Sequence, residues 1–314
     1  MVAAAAGVSQ STVSLVLNNY VGVAMDTRLA VIDAARKLGY PLIPQNNRRL
    51  IGVIIGRSIA FCPSYHIMCL EGLKKAFSAR GYMMELVCYE NIALLNERSI
   101  CGGIVISGIP KISESWGTRF TLPLVRISTQ GNHADNIFTV YNDVEYNLGL
   151  ALDHLRKYGH RRIGLMLGHS RAHEECLLEK YGPVFLQYQR NYGIGEPEKL
   201  LSYDDETPVG NRLEQLLARR ITGLIVVPGD TAQEVVAALH RLNLKIPDDL
   251  SVVSREYSWV SQYQNPPMTT VMPDYEEIGH QALYLLDRLI EHDLAVEDVA
   301  VKGGLIKRDS VGCV

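Results

Sequence analysis

The sequence predicts a small helical head followed by a much larger α/β core. The first forty residues show helical periodicity broken by turn residues, and they contain no strand pattern. From about residue 50, short runs rich in Val, Ile and Leu alternate with helical stretches, which is the pattern of parallel sheets covered by helices. With 314 residues, of which 47% are hydrophobic, the chain can bury two or three cores.

The head has the pattern of a helix-turn-helix. Four alanines at 3–6 precede Gly7, and a second helix is predicted from about residue 10 to residue 18. In that helix Val13, Val16 and Leu17 share one face and can pack inward. The opposite face carries a row of mostly short polar side chains: Ser11, Ser14, Leu15 and Asn18. Such a row can enter a DNA major groove.

A third helix is predicted from about Asp26 to Leu38, and it closes a three-helix core. Val31, Ala35 and Leu38 fall on one face, and Gly39 is placed as a C-terminal stop. The net charge of the chain is −3, yet residues 1–50 carry +3. Positive charge is therefore concentrated in the head, where DNA phosphates would be met. Because that excess is small, we expect two heads to act together in a homodimer on a palindromic site.

The core is predicted to consist of doubly wound β-α units. Apolar runs predict buried strands at 51–55, 103–106, 163–167 and 223–227. Helical periodicity predicts helices at 68–80, 147–158, 211–219 and 232–242. Ligands of such sheets bind at the carboxyl ends of the strands, which here are at 56–58, 107–108, 168–170 and 228–230.

Motifs along nearly the whole chain resemble one family. In the head they are Ala6-Gly7-Val8-Ser9, Thr12-Val13-Ser14, Val16-Leu17-Asn18, Thr27-Arg28 and Leu38-Gly39-Tyr40. Further on they are Gly159-His160-Arg161-Arg162-Ile163, 246–253, 266–271 and 306–310. Together these blocks and their spacing are similar to the LacI/GalR family of bacterial repressors.

The resemblance implies a periplasmic-binding-protein-like core of two subdomains with chain crossovers. It implies a helix-turn-helix domain at 1–46, a short linker at 47–50 and an effector-binding and dimerisation core at 51–314. Within the core, one subdomain would comprise about 51–140 and 275–298, and the other about 141–272 and 299–314. A small-molecule effector would lie between the subdomains, and its binding would bias the geometry that binds DNA.

The resemblance also implies which head residues contact DNA. Gln10 and Ser11 hold the positions that touch base edges, and Gln10 is suited to bidentate adenine recognition. Leu15 stands where the family often has Arg, and it could contact a thymine methyl group. The implied DNA-binding set is Ser9, Gln10, Ser11, Thr12, Ser14, Leu15, Asn18 and Arg28. The alternative for these side chains is an ordinary solvated helix surface.

Two further departures from the family affect the linker and the effector site. The run 39–52 is about six residues shorter than the family's corresponding segment, contains two prolines and lacks the leucine pair of the family's hinge helix, so an extended linker is expected and minor-groove wedging is not. In the cleft, Leu177 and Gly229 stand where sugar-binding members have Arg and Asn, so a standard sugar inducer is not expected. The candidate effector-binding residues are Tyr65, His66, Ser107, Tyr141, Asp230, Arg255, Glu256 and Trp259.

Aromatic faces beside a guanidinium favour a planar or anionic ligand, and interdomain packing is the alternative role for these aromatic residues. The six cysteines lack paired short spacings, so reduced thiols in the cytoplasm are expected. Cys62, His66 and Cys69 could be read as metal ligands, but without a second ligand pair they are better interpreted as packed side chains. We expect no cofactor and no metal. With no apolar run long enough to span a bilayer, we expect no membrane partner.

The sequence thus predicts a cytoplasmic, dimeric repressor that binds a palindromic operator in double-stranded DNA and responds to a small molecule. An enzyme is disfavoured because no nucleophile elbow, P-loop or dinucleotide fingerprint occurs. A transport binding protein would share the core, but no signal peptide is evident and the head is additional. The other alternative is a cytoplasmic sensor with a degenerate head. Relatives start before Val2, so the first helix is expected to lack its cap and the head to be marginally stable without DNA.

Overall fold

A computed structural model gives the fold of the chain. It describes residues 1–17, 22–40, 49–56, 63–98, 100–106, 109, 112–117, 119–120, 122–128, 137–168, 177–204, 206–255, 259–291 and 296–314. Residues 41–48 lie outside the described residues, so the structure describes only Arg49 and Leu50 of the predicted linker at 47–50, and Leu50 already belongs to the first strand of the core. Asn18, Ser107 and Glu256 also lie outside the described residues.

The head is a bundle of three helices. These are α1 (Val2–Ala6), α2 (Gln10–Leu17) and α3 (Met25–Lys37). Gly7 ends α1 in the left-handed region, with φ 66°, and allows the tight turn into α2. Among the described residues, the buried apolar side chains of the head are Val2, Val16, Val31, Ile32, Ala34 and Ala35. The helix-turn-helix prediction is therefore confirmed.

One core residue of the head was predicted wrongly. Leu38 was expected to pack inward with Val31 and Ala35, but it is 42% exposed. The reason is that α3 ends at Lys37, and Gly39, with φ 62°, reverses the chain. The N–H of Tyr40 then donates to the carbonyl of Ala35 at 2.9 Å, which closes the helix end in a Schellman-type turn. Gly39 therefore acts as the predicted stop, and Leu38 is left outside the core.

The larger part of the chain forms two six-stranded sheets. The strands of the first sheet, from edge to edge, are β11 (Val299–Val301), β5 (Phe138–Asn142), β4 (Leu124–Ser128), β3 (Gly102–Ile106), β1 (Leu50–Ile55) and β2 (Met83–Cys88). Those of the second sheet are β12 (Gly304–Ile306), β10 (Thr269–Met272), β9 (Ser251–Arg255), β8 (Gly223–Val227), β6 (Ile163–Leu167) and β7 (Leu201–Ser202). All of these pairings are parallel except that between β10 and β12.

Helices cover the sheets. The α-helices described after the head are α4 (Pro63–Arg80), α5 (Ile112–Gly117), α6 (Val144–Lys157), α7 (Leu177–Asn191), α8 (Val209–Leu217), α9 (Gly229–Arg241) and α10 (Tyr275–Ile290). Short 3-10 helices span Tyr89–Glu97, Pro197–Leu200 and Trp259–Tyr263. Every residue of β3, β4, β6, β8 and β9 is buried, as expected of parallel strands covered on both faces. No helix in the described part of the chain is long and apolar enough to cross a membrane.

The chain passes between the two sheets after β5, after β10 and after β11. Helix α10 returns to the first sheet, where it packs along α4. The two helices approach so closely that a Cβ on Gly72 would lie 1.9 Å from the carbonyl oxygen of Tyr275. Residues 299–301 pair with β5 in the first sheet, so the expectation that all of 299–314 joins the second subdomain does not match the strand pairing. The last crossover lies between β11 and β12.

Candidate DNA-binding helix and effector cleft

Ser9 caps the N-terminus of α2. Its Oγ accepts a hydrogen bond from the N–H of Thr12 at 3.0 Å, and its carbonyl accepts from the N–H of Val13 at 3.1 Å. The hydroxyls of Ser11 and Thr12 lie 2.7 Å and 2.8 Å from the same Oγ. This is the geometry of an N-cap, and it fixes the direction in which the helix begins.

The face of α2 that points away from the head core is the predicted one. Gln10, Ser11 and Ser14 are exposed, and Leu15 is 40% exposed. Val16 is buried, and Val13 and Leu17 are partly buried on the inner side. Thr12 is partly buried at the start of the helix. A capped helix with an exposed row of short side chains can enter a major groove without steric obstruction from its own domain.

Arg28 does not lie on that surface. The residue is only 4% exposed, and burial lowers the pKa of its guanidinium. The reason is its position in α3, where Arg28, Val31, Ile32 and Ala35 have i, i+3, i+4, i+7 spacing and share the inward face. The helical spacing could have revealed this in the sequence. A guanidinium in this position is not exposed for contact with a DNA phosphate.

The carboxyl edges of the two sheets face each other. Ser64 lies at the start of α4, after β1 of the first sheet, and Asp230 lies in the first turn of α9, after β8 of the second. The hydroxyl of Ser64 donates to Oδ1 of Asp230 at 3.1 Å, across 166 positions of sequence. These two residues join the subdomains beside the cleft in which the sequence places an effector.

Several polar atoms near these strand ends are buried without a hydrogen-bond partner in the described part of the chain. They are Oδ2 of Asp230, Oγ1 of Thr231, Oγ of Ser254 and both amide atoms of Asn142. Thr231, Ser254 and Asn142 are each about 1% exposed. An unsatisfied buried polar group costs about 1–3 kcal/mol, so groups of this kind mark positions that a ligand or bound water satisfies.

Aromatic and basic side chains lie at the same edges. The Tyr65 ring makes edge-on contacts with His66, at 5.5 Å between centroids, and with Tyr275 at 6.3 Å. In the second subdomain, the Arg255 guanidinium lies 5.6 Å from the centroid of the Tyr181 ring and is 3% exposed. A buried guanidinium against a ring is a cation–π arrangement, and it holds positive charge at the end of β9.

The structure places some of the predicted effector residues and leaves others undescribed. Tyr65, His66 and Arg255 are buried at strand ends or helix starts, while Tyr141 and Asp230 are partly buried. The side chain of Trp259 is not described, as Ser107 and Glu256 are not. Of the three possible metal ligands, Cys62 lies outside the described residues, and His66 and Cys69 are buried. No cluster of metal-ligating residues occurs among the described residues.

Sequence reasoning missed Ser64, Thr231, Ser254 and Asn142. Thr231 follows Asp230 directly, Ser254 precedes Arg255 and Asn142 follows Tyr141, so adjacency to predicted residues was the available signal. Ser64 likewise precedes the predicted Tyr65, but its contact with Asp230 gave no signal, because the two residues are 166 positions apart in sequence. Asn142 is also the last residue of β5, where the chain leaves the first sheet.

Comparison with known proteins agrees with this arrangement. Residues 2–42 match the family described as bacterial regulatory proteins of the lacI family, and residues 152–311 match the periplasmic binding protein-like domain. The HTH-type transcriptional regulator MalR of Streptomyces coelicolor is 27% identical over 307 residues, covering 91% of this chain and 88% of its own. The HTH-type transcriptional repressor PurR of Haemophilus influenzae is 27% identical over 345 residues, covering 99% and 97%.

A solved structure of the lac repressor dimer bound to operator and the anti-inducer ONPF has a TM-score of 0.68 and 21% identity, covering 99% of this chain and 98% of that one. The head and the two-sheet core together define a DNA-binding transcriptional regulator with an effector-binding core. The chain belongs to the LacI family of bacterial regulatory proteins.

Proposed function

We propose that the chain is a cytoplasmic, homodimeric repressor that reads a palindromic operator through α2. The observation that carries the proposal is the capped α2, whose exposed face holds Gln10, Ser11, Ser14 and Leu15. Gln10, in the first turn of the helix, is the side chain suited to adenine, and Leu15 to a thymine methyl group. Ser9, Thr12 and Ser14 supply hydroxyls for phosphates. The chain acts by binding, without catalysis.

Dimerisation is supported by apolar side chains on two neighbouring elements of the first subdomain. Ile67 on α4 is 60% exposed, and Met83 and Leu86 on β2 are 60% and 47% exposed. Strand β2 is an edge of its sheet and packs beside α4. Exposed large apolar side chains on an edge strand and on the helix beside it are typical of interaction surfaces, so we assign the α4–β2 face to the second copy of the chain.

The effector site is proposed at the facing carboxyl edges. Asp230 and Thr231 on one side, with Ser64 and Tyr65 on the other, contribute polar atoms and a ring. Arg255 against Tyr181 adds a fixed cation, which favours a planar or anionic ligand. The Ser64–Asp230 hydrogen bond joins the two subdomains. A ligand that binds Asp230 therefore changes how strongly the subdomains are held together, and so alters DNA binding.

A ligand screen tests the cleft. The full chain is melted in the presence of a library of planar and anionic metabolites, and compounds that raise the melting temperature are titrated against three variants. Asp230→Asn and Arg255→Met are expected to weaken binding by about tenfold or more, because the first removes a partly buried charge and the second a buried one. Asp248→Asn, an exposed carboxylate on a turn, is the matched control and should bind as the natural chain does.

DNA binding separates the proposal from its alternative, a cytoplasmic sensor with a degenerate head. If compounds bind the cleft but no duplex is retained specifically by the full chain, the sensor function replaces the repressor function. If every stabilising compound binds Asp230→Asn and Arg255→Met unchanged, the effector site lies elsewhere.

A further inference from the structure

A second cavity, of about 570 Å³, lies at the β7 edge of the second sheet. It is lined by residues of α7, β7 and α8 and by the 3-10 helix that precedes β7. Its size falls within the range of about 300–1,000 Å³ that is typical of small-molecule sites. None of its lining residues belongs to the effector cleft described above.

One wall of this cavity is apolar. Leu178 from α7, Leu201 from β7 and Leu216 from α8 line it, and Leu216 is 2% exposed. A compact hydrocarbon group packed against these side chains would be removed from contact with water, and the free energy gained is roughly 25 cal/mol per Å² of apolar surface buried. The wall therefore suits the apolar part of an organic ligand.

The rest of the lining is predominantly positive. Lys199, Arg212 and Arg219 line the cavity, and the lining includes one carboxylate, that of Asp204. That carboxylate already accepts hydrogen bonds from the N–H of Glu206, at 2.9 Å, and from the hydroxyl of Thr207. The charge excess favours an anion over a neutral or cationic ligand.

The three cations differ in how they are engaged. Lys199 forms an ion pair with Glu196, with 2.5 Å between Nζ and Oε1. The guanidinium of Arg219, in contrast, forms no salt bridge or hydrogen bond with any residue that the structure describes; its electrostatic partner is the exposed carboxylate of Glu196, which Lys199 already pairs. Arg219 is therefore the cation available to a ligand, because pairing with it breaks no described contact.

Arg212 supplies a fixed positive wall. It is 2% exposed, its Nε donates to Oγ of Ser202 at 2.9 Å, and its Nη2 donates to the Ser202 carbonyl at 3.0 Å. The same Nη2 also donates to the carbonyl of Leu167, the last residue of β6. A guanidinium held in this way needs no reorganisation when an anion arrives.

We propose that this cavity binds an organic carboxylate with a compact apolar body. The carboxylate pairs with Arg219 in the field of Arg212, and the body packs against Leu178, Leu201 and Leu216. An Arg–carboxylate pair can form two parallel hydrogen bonds, which gives the site its preference for carboxylates. The site is separate from the effector cleft, and its occupancy does not depend on the DNA-binding function proposed above.

Calorimetric titration of the full chain tests the proposal with benzoate, 3-phenylpropionate and octanoate as probes. At least one probe is expected to saturate at one ligand per chain, and the corresponding neutral amide should bind at least about tenfold more weakly. Arg219→Gln should weaken the binding of the same probe by about tenfold. Arg220→Gln is the matched control, because Arg220 is adjacent, exposed and outside the lining, and it should leave binding unchanged.

Three results would overturn the proposal. The first is that none of the three carboxylates saturates. The second is that the neutral amide binds as tightly as the acid, and the third is that Arg219→Gln binds the probe as tightly as Arg220→Gln does. If binding survives Arg219→Gln but is lost in Arg255→Met, the probe occupies the effector cleft, and the assignment of this cavity is wrong. Circular dichroism of each variant confirms that a loss of binding does not come from unfolding.

Discussion

Removing the cap of α2 is expected to loosen the head without affecting the core. In Ser9→Ala the N–H of Thr12 loses the acceptor that it now has at 3.0 Å. An N-cap contributes about 1 kcal/mol, which corresponds to about a fivefold change in the equilibrium between closed and open head. The head is sensitive to this loss because its core, in the part of the chain that the structure describes, holds only six buried apolar side chains, and none of them belongs to the clusters under the sheets.

Amide hydrogen exchange of the full chain measures this effect directly. The protection of residues 10–17 is expected to fall by about fivefold in Ser9→Ala, while the protection of β6 and β8 is unchanged. Ser9→Thr keeps a capping hydroxyl and should keep the protection. DNA should restore protection in both variants, since binding stabilises the closed head. Equal protection of Ser9→Ala and the natural chain, or an equal loss in Ser9→Thr, would refute the reasoning.

The remaining predictions concern the core. Gly72→Ala should lower the free energy of unfolding by roughly 1–3 kcal/mol in denaturant titrations, because its Cβ would meet Tyr275 backbone at 1.9 Å; Gly149→Ala, with open space around it, should not. Burial lowers the pKa of His160, so the contribution of the neutral imidazole to stability is fully present above about pH 6.5 and is lost as the pH falls below that value. His160→Gln should therefore make the melting temperature depend less on pH between pH 8 and pH 5. Parallel curves of melting temperature against pH for the variant and the natural chain would contradict this. Leu86→Glu places a charge on the exposed face of β2 and should shift the sedimentation of the chain towards that of a monomer. Sedimentation unchanged from that of the dimer would show that β2 is not part of the interface.

The strands and the head were predictable because their signals are local. The runs at 163–167 and 223–227 match β6 and β8 to the residue, since a strand buried on both faces must be apolar throughout. Helix starts were less predictable. Helix α6 begins at Val144, three residues before the predicted start, because Asp143 caps it by accepting from the N–H of Tyr146.

The cleft was only partly predictable, because some of its contacts join residues that are far apart in the sequence. The strand ends at 168 and 228–230 followed from sheet topology, and Asp230 followed from the family resemblance. The contact from Ser64 to Asp230 depends on how two separately folded sheets face each other, and no local pattern records that. The pairing of 299–301 with β5 is a similar case, because a three-residue edge strand carries almost no periodicity.

Selection of duplexes from a random DNA pool by the full chain tests the central claim most directly, with the bound DNA sequenced at two salt concentrations. We expect a palindrome to be enriched at both concentrations, and we expect Gln10→Ala to lose preference at one base of each half-site. Retention that is weak, independent of sequence and abolished by moderate salt would contradict the account of α2 as an operator reader.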